Sequence, residues 1–162
     1  MTALIVTPPT RRYKQPGLRK SVFLAGSIEM GVAEDWQHQT ATKLAPLAGV
    51  VYNPRRAEWD SSWAQTIDNP DFNAQVTWEL DMIQEADIVI FYFDPNTKSP
   101  VTLLELGYAC GTKPAQTYVA CPAGFYRRGN VEITCERFGV RFFESLDKLL
   151  PSVNSVLTNI NR

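Results

Sequence analysis

The chain has 162 residues, which is enough for one domain with a sizeable hydrophobic core. Hydrophobic residues make up 44% of the sequence, charged residues make up 20%, and the formal net charge is −1. This composition is ordinary for a globular protein, and it does not point to nucleic acid or an acidic membrane surface as a partner. No apolar run is long enough to cross a bilayer and no signal peptide opens the chain, so we expect a cytoplasmic protein.

The cysteine and histidine content argues against a metal site. The three cysteines are an odd number at wide spacings, and there is a single histidine. These residues are Cys110, Cys121, Cys135 and His38. Because no CxxC pair is present, we expect reduced thiols, no metal ion and no cofactor.

The first 20 residues are rich in proline and contain five basic residues. We interpret residues 1–20 as an N-terminal arm that is loosely packed or partly disordered. A solvated tail is favoured over a nucleic-acid-binding arm, because the rest of the chain does not continue the positive charge. Residues 21–162 are expected to form a single domain.

From Ser21 onward, short apolar runs alternate with helical patterns. The predicted strands, which are mostly β-branched or aromatic, cover residues 21–26, 50–52, 87–93, 116–120 and 140–143. The predicted helices cover residues 33–47, 70–85 and 101–111, then a short segment before residue 140 and a terminal helix from about residue 144, interrupted near Pro151. Asn69 and Ser99 each precede a proline, which is the pattern of a helix cap.

Five alternations of strand and helix predict an α/β protein with a doubly wound, five-stranded parallel sheet of the flavodoxin-like type. Ligands of such sheets bind beyond the carboxyl ends of the strands. The residues at those ends lie in four segments: residues 26–31, 53–63, 94–99 and 121–130.

Glu105 is the single charged residue in the apolar helical segment 99–112. A helix that is apolar all round is a buried helix, and burying a carboxylate is costly unless it is hydrogen-bonded or paired. Glu105 is therefore either a solvent-facing residue on an otherwise buried helix or a functional carboxylate. Without a metal cluster or an imidazole nearby, the chemistry open to it is carboxylate chemistry, of which glycosyl transfer is the commonest form.

Further acidic residues precede Glu105. Glu79 and Asp81 lie on the preceding helix, and because they are two residues apart only one of them is expected to face the site. Asp94 follows the strongest strand, at an end where ligands bind. Asp87, at the start of that strand, is interpreted as structural.

Two loops are candidates for ligand contacts. Residues 51–63 combine Asn53, two arginines, Trp59 and Trp63, which are residue types that stack on and hydrogen-bond to nucleobases. This loop is either a base pocket or a lid whose tryptophans cover the core. Gly26 lies in the turn after the first strand, where a glycine allows close backbone approach to a ligand.

The order of motifs resembles the nucleoside 2-deoxyribosyltransferase family. The motifs are FLAGSIEMG, NPRR with downstream tryptophans, QVTWELDMIQEADIVIFYF and SPVTLLELGYA, within residues 20–113. The resemblance implies a flavodoxin-like fold and a two-step exchange in which a glutamate displaces the nucleobase of a 2′-deoxynucleoside. A second base then attacks the covalent deoxyribosyl-glutamate. Nucleosides and nucleobases would be the partners of such an enzyme.

The resemblance also implies roles for particular residues. Glu105 matches the nucleophile, and Glu79, with Asp81 close behind, matches the acid that holds base or sugar. Asn53 and Asp94 occupy ligand-facing positions. Members of the family are oligomers with sites shared between subunits, which makes Asn130 a candidate for completing a partner's pocket.

The chain departs from the better-known members at two places. Val22-Phe23 stand where those members carry a tyrosine, and residues 99–102 replace a D-x-G-[ST] turn. The sugar contacts are therefore expected to come from Ser99 or from an acid of another loop. Two alternative functions remain open, a 2′-deoxynucleoside 5′-monophosphate N-glycosidase and a non-catalytic nucleotide-binding module.

Overall fold

The computed structural model describes residues 2–11, 19–29, 33–56 and 60–159. Six parallel strands form one sheet in the order β1-β3-β2-β4-β5-β6. The strands are β1 (Leu4–Val6), β2 (Ser21–Gly26), β3 (Val50–Tyr52), β4 (Ile88–Tyr92), β5 (Thr117–Ala120) and β6 (Arg141–Phe143). Without β1, this order is the 2-1-3-4-5 arrangement of the flavodoxin-like fold, which is thereby confirmed.

In the described part of the chain, four α-helices connect the strands from β2 to β6, and a fifth follows β6. They are α1 (Trp36–Leu44), α2 (Pro70–Glu85), α3 (Pro100–Thr112), α4 (Arg128–Phe138) and α5 (Leu146–Thr158). Within the described part of the chain, no helix has the length and apolar character needed to cross a membrane.

The core consists of two layers, one on each face of the sheet. Alternate residues of β4 point to opposite faces, as a pleated strand requires. Val89 and Phe91 pack with the buried residues of α2, α3 and α4, whereas Ile88 and Ile90 pack with those of α1 and α5. The candidate carboxylates therefore lie on the face that α2 and α3 share.

The predicted count of five strands is wrong, because the N-terminal segment contributes a sixth. Leu4–Val6 pairs with Val50–Tyr52 along the edge of the sheet. Backbone hydrogen bonds from Leu4 N to the Gly49 carbonyl (3.0 Å) and from Asn53 N to the Val6 carbonyl (2.9 Å) extend this pairing. The local sequence did not predict this strand, because prolines and basic residues surround it and its stability comes from pairing with a distant strand.

Two helices also differ from their predicted form. α4 begins at Arg128, within a segment predicted as loop. α5 continues through Pro151, where an interruption was predicted. Proline removes one backbone hydrogen bond, but Leu149, Val153 and Leu157 keep the helix packed on the sheet on both sides of it. The Asn69 cap of α2 is as predicted, since its side chain accepts a hydrogen bond from Phe72 N at 3.0 Å.

Candidate active site

The site centres on two carboxyl groups from neighbouring helices. Glu79 lies in the third turn of α2 and Glu105 in the second turn of α3. Their side chains are hydrogen-bonded to each other. Glu105 is 7% exposed. Glu79 is half-buried. The two acids therefore share one largely desolvated environment, which is an arrangement common in active sites.

Burial raises the pKa of both carboxyl groups above their ordinary value. The pKa of Glu105 is raised well above the ordinary value, first by burial and then by the charge and hydrogen bond of Glu79. The pKa of Glu79 is raised less, because hydrogen bonds from Gln75 and Glu105 stabilise its charged form. For one proton shared by the pair, these directions favour Glu105 as the protonated partner and Glu79 as the charged one.

Gln75 links this pair to the loop after β3. It lies one turn before Glu79 on α2 and is 3% exposed. Its Nε2 donates to Glu79 Oε1 at 2.8 Å and to the Pro54 carbonyl at 3.3 Å. Its Oε1 accepts from Arg56 Nη1 at 3.3 Å. The arginine of the NPRR motif is thus connected to the carboxyl pair through one buried amide.

A group of three buried hydroxyls lies at the carboxyl ends of β2 and β4. Ser27 Oγ and Ser99 Oγ are 2.5 Å apart, and Thr97 Oγ1 is 2.9 Å from Ser27 Oγ and 2.7 Å from Ser99 Oγ. Asp94 N donates to Ser27 Oγ at 3.0 Å, and Asp94 Oδ1 accepts from Asn96 N at 2.8 Å. Asp94 therefore shapes the turn that leads into α3, and its side chain is buried there.

Glu29 ties the loop after β2 to the beginning of α3. Its Oε1 accepts from Lys98 N at 2.5 Å and from Ser99 N at 2.6 Å. Glu29 and Ser99 both have positive φ angles, 45° and 49°. Such backbone conformations cost free energy in residues other than glycine, and they persist where surrounding contacts enforce them.

Ser99 is not the side-chain cap that the sequence pattern predicts. It precedes Pro100, but its hydroxyl bonds to the other two hydroxyls and makes no cap hydrogen bond to α3. The prediction failed because the hydroxyl bonds to Ser27 and Thr97, and Ser27 lies in a loop 72 residues earlier in the sequence. The Ser99 N–H itself donates to the Glu29 carboxylate.

Gly26 and Asn53 lie at the carboxyl ends of β2 and β3. A Cβ at Gly26 would meet the Trp36 ring and the Tyr92 carbonyl at 2.5 Å each, so packing within the chain already requires a glycine there. Asn53 Oδ1 accepts from Arg55 N at 3.0 Å and shapes the turn into the NPRR segment. Both residues therefore have structural roles. Their predicted contacts with a ligand stay predictions.

The remaining predicted residues lie apart from the carboxyl pair or outside the described part of the chain. Asp81 forms an ion pair with Arg11 at 2.8 Å, so of the two acids on α2 it is Glu79 that contacts Glu105. Asn130 is exposed in the first turn of α4. Trp59 lies outside the described residues. Trp63, further along that loop, has the Arg56 guanidinium 5.4 Å from its ring centroid.

Sequence reasoning missed Gln75 and Glu29. The spacing of Gln75, four residues before Glu79 on a helix, was a usable indication that the two side chains meet. Glu29 had no such indication, because its contacts depend on how two distant loops fold against each other.

Fold and site together define a flavodoxin-like α/β protein with a buried, proton-sharing carboxyl pair on one face of its sheet. Residues 19–125 match a family model described as nucleoside 2-deoxyribosyltransferase like. The match covers most of the chain and includes both carboxyl residues, so the chain belongs to this family. No match to the chain is found among curated proteins.

Proposed function

We propose that the protein transfers 2-deoxyribose between nucleobases by double displacement through a covalent deoxyribosyl-glutamate. The observation that carries this proposal is the buried carboxyl pair of Glu79 and Glu105. Family membership supports a related activity. Paired carboxyl groups with unequal proton affinity are what glycosyl transfer requires, one as nucleophile and the other as acid and base.

In the first half-reaction, Glu105 attacks C1′ of the 2′-deoxynucleoside. Its proton passes to Glu79, and the resulting Glu105 carboxylate forms a bond to C1′ as the bond from C1′ to the base nitrogen breaks. Glu79 delivers the proton to the leaving base. The products are a neutral free base, a Glu105 ester of deoxyribose and an ionised Glu79.

In the second half-reaction, a nitrogen of the incoming base attacks C1′ and the bond to Glu105 breaks. Glu79 takes the proton that the base loses and returns it to the freed Glu105 carboxylate, which restores the starting state of the pair. Direct displacement by water would need about 6.5–9.5 Å between the carboxyl groups to hold the water. Glycosidases that form a covalent intermediate hold their carboxyl groups about 5–5.5 Å apart. The direct contact between Glu79 and Glu105 is nearer to that arrangement than to the wider one, which supports the covalent route.

The groups proposed to hold the sugar and the base are those at the carboxyl edge of the sheet. Ser99 lies about 9 Å along α3 from Glu105, since six residues separate them at 1.5 Å each. Ser99 and Asp94 are proposed to contact the sugar. Asn53 and Trp59 are proposed to contact the base, with Gly26 allowing close approach of the ligand.

The rival function, hydrolysis of 2′-deoxynucleoside 5′-monophosphates, is less well supported. It needs a place for a phosphate dianion near the sugar. At the start of α3, the N–H groups of Lys98 and Ser99 already bind the Glu29 carboxylate. A phosphate placed against these two N–H groups would meet the negative charge of Glu29, which is unfavourable. A 5′-hydroxyl carries no such penalty.

A homo-oligomer with shared sites is part of the proposal. Val101 and Leu104 on α3 are 56% and 75% exposed, although Glu105 on the same helix is buried. Apolar residues exposed beside a site are suited to contact with a second copy. Asn130 is exposed and is proposed to reach a neighbouring subunit's pocket.

If it does, mixing inactive Glu105→Gln and Asn130→Ala subunits restores exchange. If the mixture stays inactive, Asn130 does not act across subunits.

The direct test is base exchange. Deoxyinosine or thymidine serves as donor and adenine or cytosine as acceptor, with the ribonucleosides run in parallel. Glu105→Gln should abolish exchange, while Glu85→Gln, an exposed acid on α2, serves as the matched control and should leave it unchanged. Release of free deoxyribose without base exchange would defeat the transferase proposal. Ligand binding without turnover by the wild type would favour the non-catalytic module.

A further inference from the structure

The side-chain amide of Gln75 has one orientation only. Its two faces meet partners of opposite kind, the Pro54 carbonyl at 3.3 Å from Nε2 and the Arg56 Nη1 at 3.3 Å from Oε1. A carbonyl can only accept a hydrogen bond and a guanidinium can only donate one. The amide nitrogen must therefore face Pro54, and the same nitrogen reaches Glu79 Oε1 at 2.8 Å.

The two carboxyl groups consequently have different partners. Glu79 accepts hydrogen bonds from both Gln75 and Glu105. Within the described residues, the one polar side chain that hydrogen-bonds to Glu105 is Glu79. A donor stabilises an ionised carboxylate more than it stabilises a neutral carboxyl group, so the asymmetry favours charge on Glu79.

We infer that Gln75, held by Arg56 and Pro54, is a positioning residue that places the negative charge on Glu79 and the shared proton on Glu105 before substrate binds. This inference rests on the proposed function, in which the pair is the catalytic centre. Among the residues that the structure describes, the titratable groups that contact the pair or its amide are the two carboxyls themselves and, behind the amide, the Arg56 guanidinium.

The assignment has a consequence for the order of events. Glu105 rests as a neutral acid, so it becomes a nucleophile when its proton moves along the existing hydrogen bond to Glu79. Glu79 then holds the proton that the leaving base needs, and no outside base is consumed. The NPRR segment, which precedes the long loop, thereby influences the proton position through a single amide.

Gln75→Leu removes the donor while keeping a side chain of similar size. The first ionisation of the pair should then occur at a pH higher by about one unit or more, because a hydrogen bond to a buried carboxylate is lost. Gln75→Asn, whose shorter side chain cannot reach all three partners, should move it in the same direction and serves if the leucine variant does not fold. Gln84→Leu, at an exposed position of α2 whose Oε1 accepts from Tyr108 and not from the pair, is the matched control and should leave the titration of the pair unchanged.

The readout is a carbon-13 NMR titration of glutamate side-chain carboxyls, with signals assigned from Glu79→Gln and Glu105→Gln. In the wild type, Glu79 should ionise first on raising the pH and Glu105 second. In Gln75→Leu, the first ionisation should occur at a higher pH, and the carboxyl signals of both Glu79 and Glu105 should shift with it. The inference is overturned if Glu105 ionises first in the wild type, or if Gln75→Leu leaves the Glu79 signal unchanged.

Activity provides a second readout that separates this inference from the proposed function. The acid limb of kcat/KM for base exchange should move to higher pH in Gln75→Leu, by the same amount as the NMR titration. A shifted titration in a protein without exchange activity would support the role of Gln75 and count against the proposed function. Normal exchange with an unmoved titration would count against Gln75 alone.

Discussion

The Glu105→Gln variant should become increasingly more stable than the wild type as the pH rises. Burial and the neighbouring Glu79 raise the pKa of Glu105 well above its ordinary value of 4.5. Between that value and the raised pKa, the unfolded chain releases a proton that the native protein keeps. The unfolded state thus binds fewer protons, and the free energy of unfolding of the wild type falls with increasing pH. Glutamine cannot ionise, so the variant does not show this decrease in the free energy of unfolding.

The magnitude follows from linkage. The stability difference between Glu105→Gln and the wild type should grow by up to about 1.4 kcal/mol for each pH unit within that window. For a chain of this size, this corresponds to roughly 4 °C in Tm per pH unit. Glu79, whose pKa is also raised by burial, keeps a donor at every pH because the glutamine amide replaces the Glu105 hydroxyl, and this acts in the same direction.

Thermal unfolding followed by circular dichroism between pH 5 and pH 8 measures this difference. The variant should have the higher Tm at pH 8, and its advantage should shrink steadily toward pH 5. Glu85→Gln removes an exposed carboxylate from α2 and should keep the pH profile of the wild type. A difference between Glu105→Gln and wild type that is the same at both pH values, or larger at pH 5, would refute the buried, proton-holding state of Glu105.

Three further predictions concern the scaffold. Gly26→Ala should destabilise the protein by about 1–3 kcal/mol in urea unfolding, because the new Cβ meets Trp36 and the Tyr92 carbonyl at 2.5 Å; an unchanged midpoint would contradict this close packing. Lys113→Met should also lower the urea midpoint, by about 1.5–3 kcal/mol, because the buried ammonium donates to three carbonyls at the end of α2; a neutral effect would mean that those carbonyls find other partners. Burial raises the pKa of Cys121 to about 11, so at pH 8 its thiol should react with a maleimide only after unfolding, and labelling of the native protein would contradict this.

Much of the fold follows from local pattern. The segment 87–93 is continuously apolar and β-branched or aromatic, and it forms the central strand Ile88–Tyr92. Asn69-Pro70 begins a helix at the expected residue, because a side-chain acceptor and a preset φ act within four residues of each other. Such interactions need no information from distant parts of the chain, so sequence reasoning captures them.

Other features depend on contacts that no local pattern encodes. β1 is a strand because Leu4–Val6 meets β3 more than 40 residues away, although prolines and basic residues surround it. α5 runs through Pro151 because its apolar residues pack on the sheet at both sides of the proline. In both cases, tertiary packing outweighs the local preference of the backbone.

For the site, the sequence by itself determined that Glu105 is unusual, since a lone carboxylate in an apolar helix must be buried at a cost or exposed out of pattern. Of Glu79 and Asp81, it predicted that only one faces the site, because residues two apart on a helix face different directions. Only the tertiary structure decided between them, by packing α2 against α3 so that Glu79 meets Glu105 while Asp81 turns to Arg11. The same packing brings Gln75 and Glu29 to their partners, and the protonation of the pair depends on those distances and that burial.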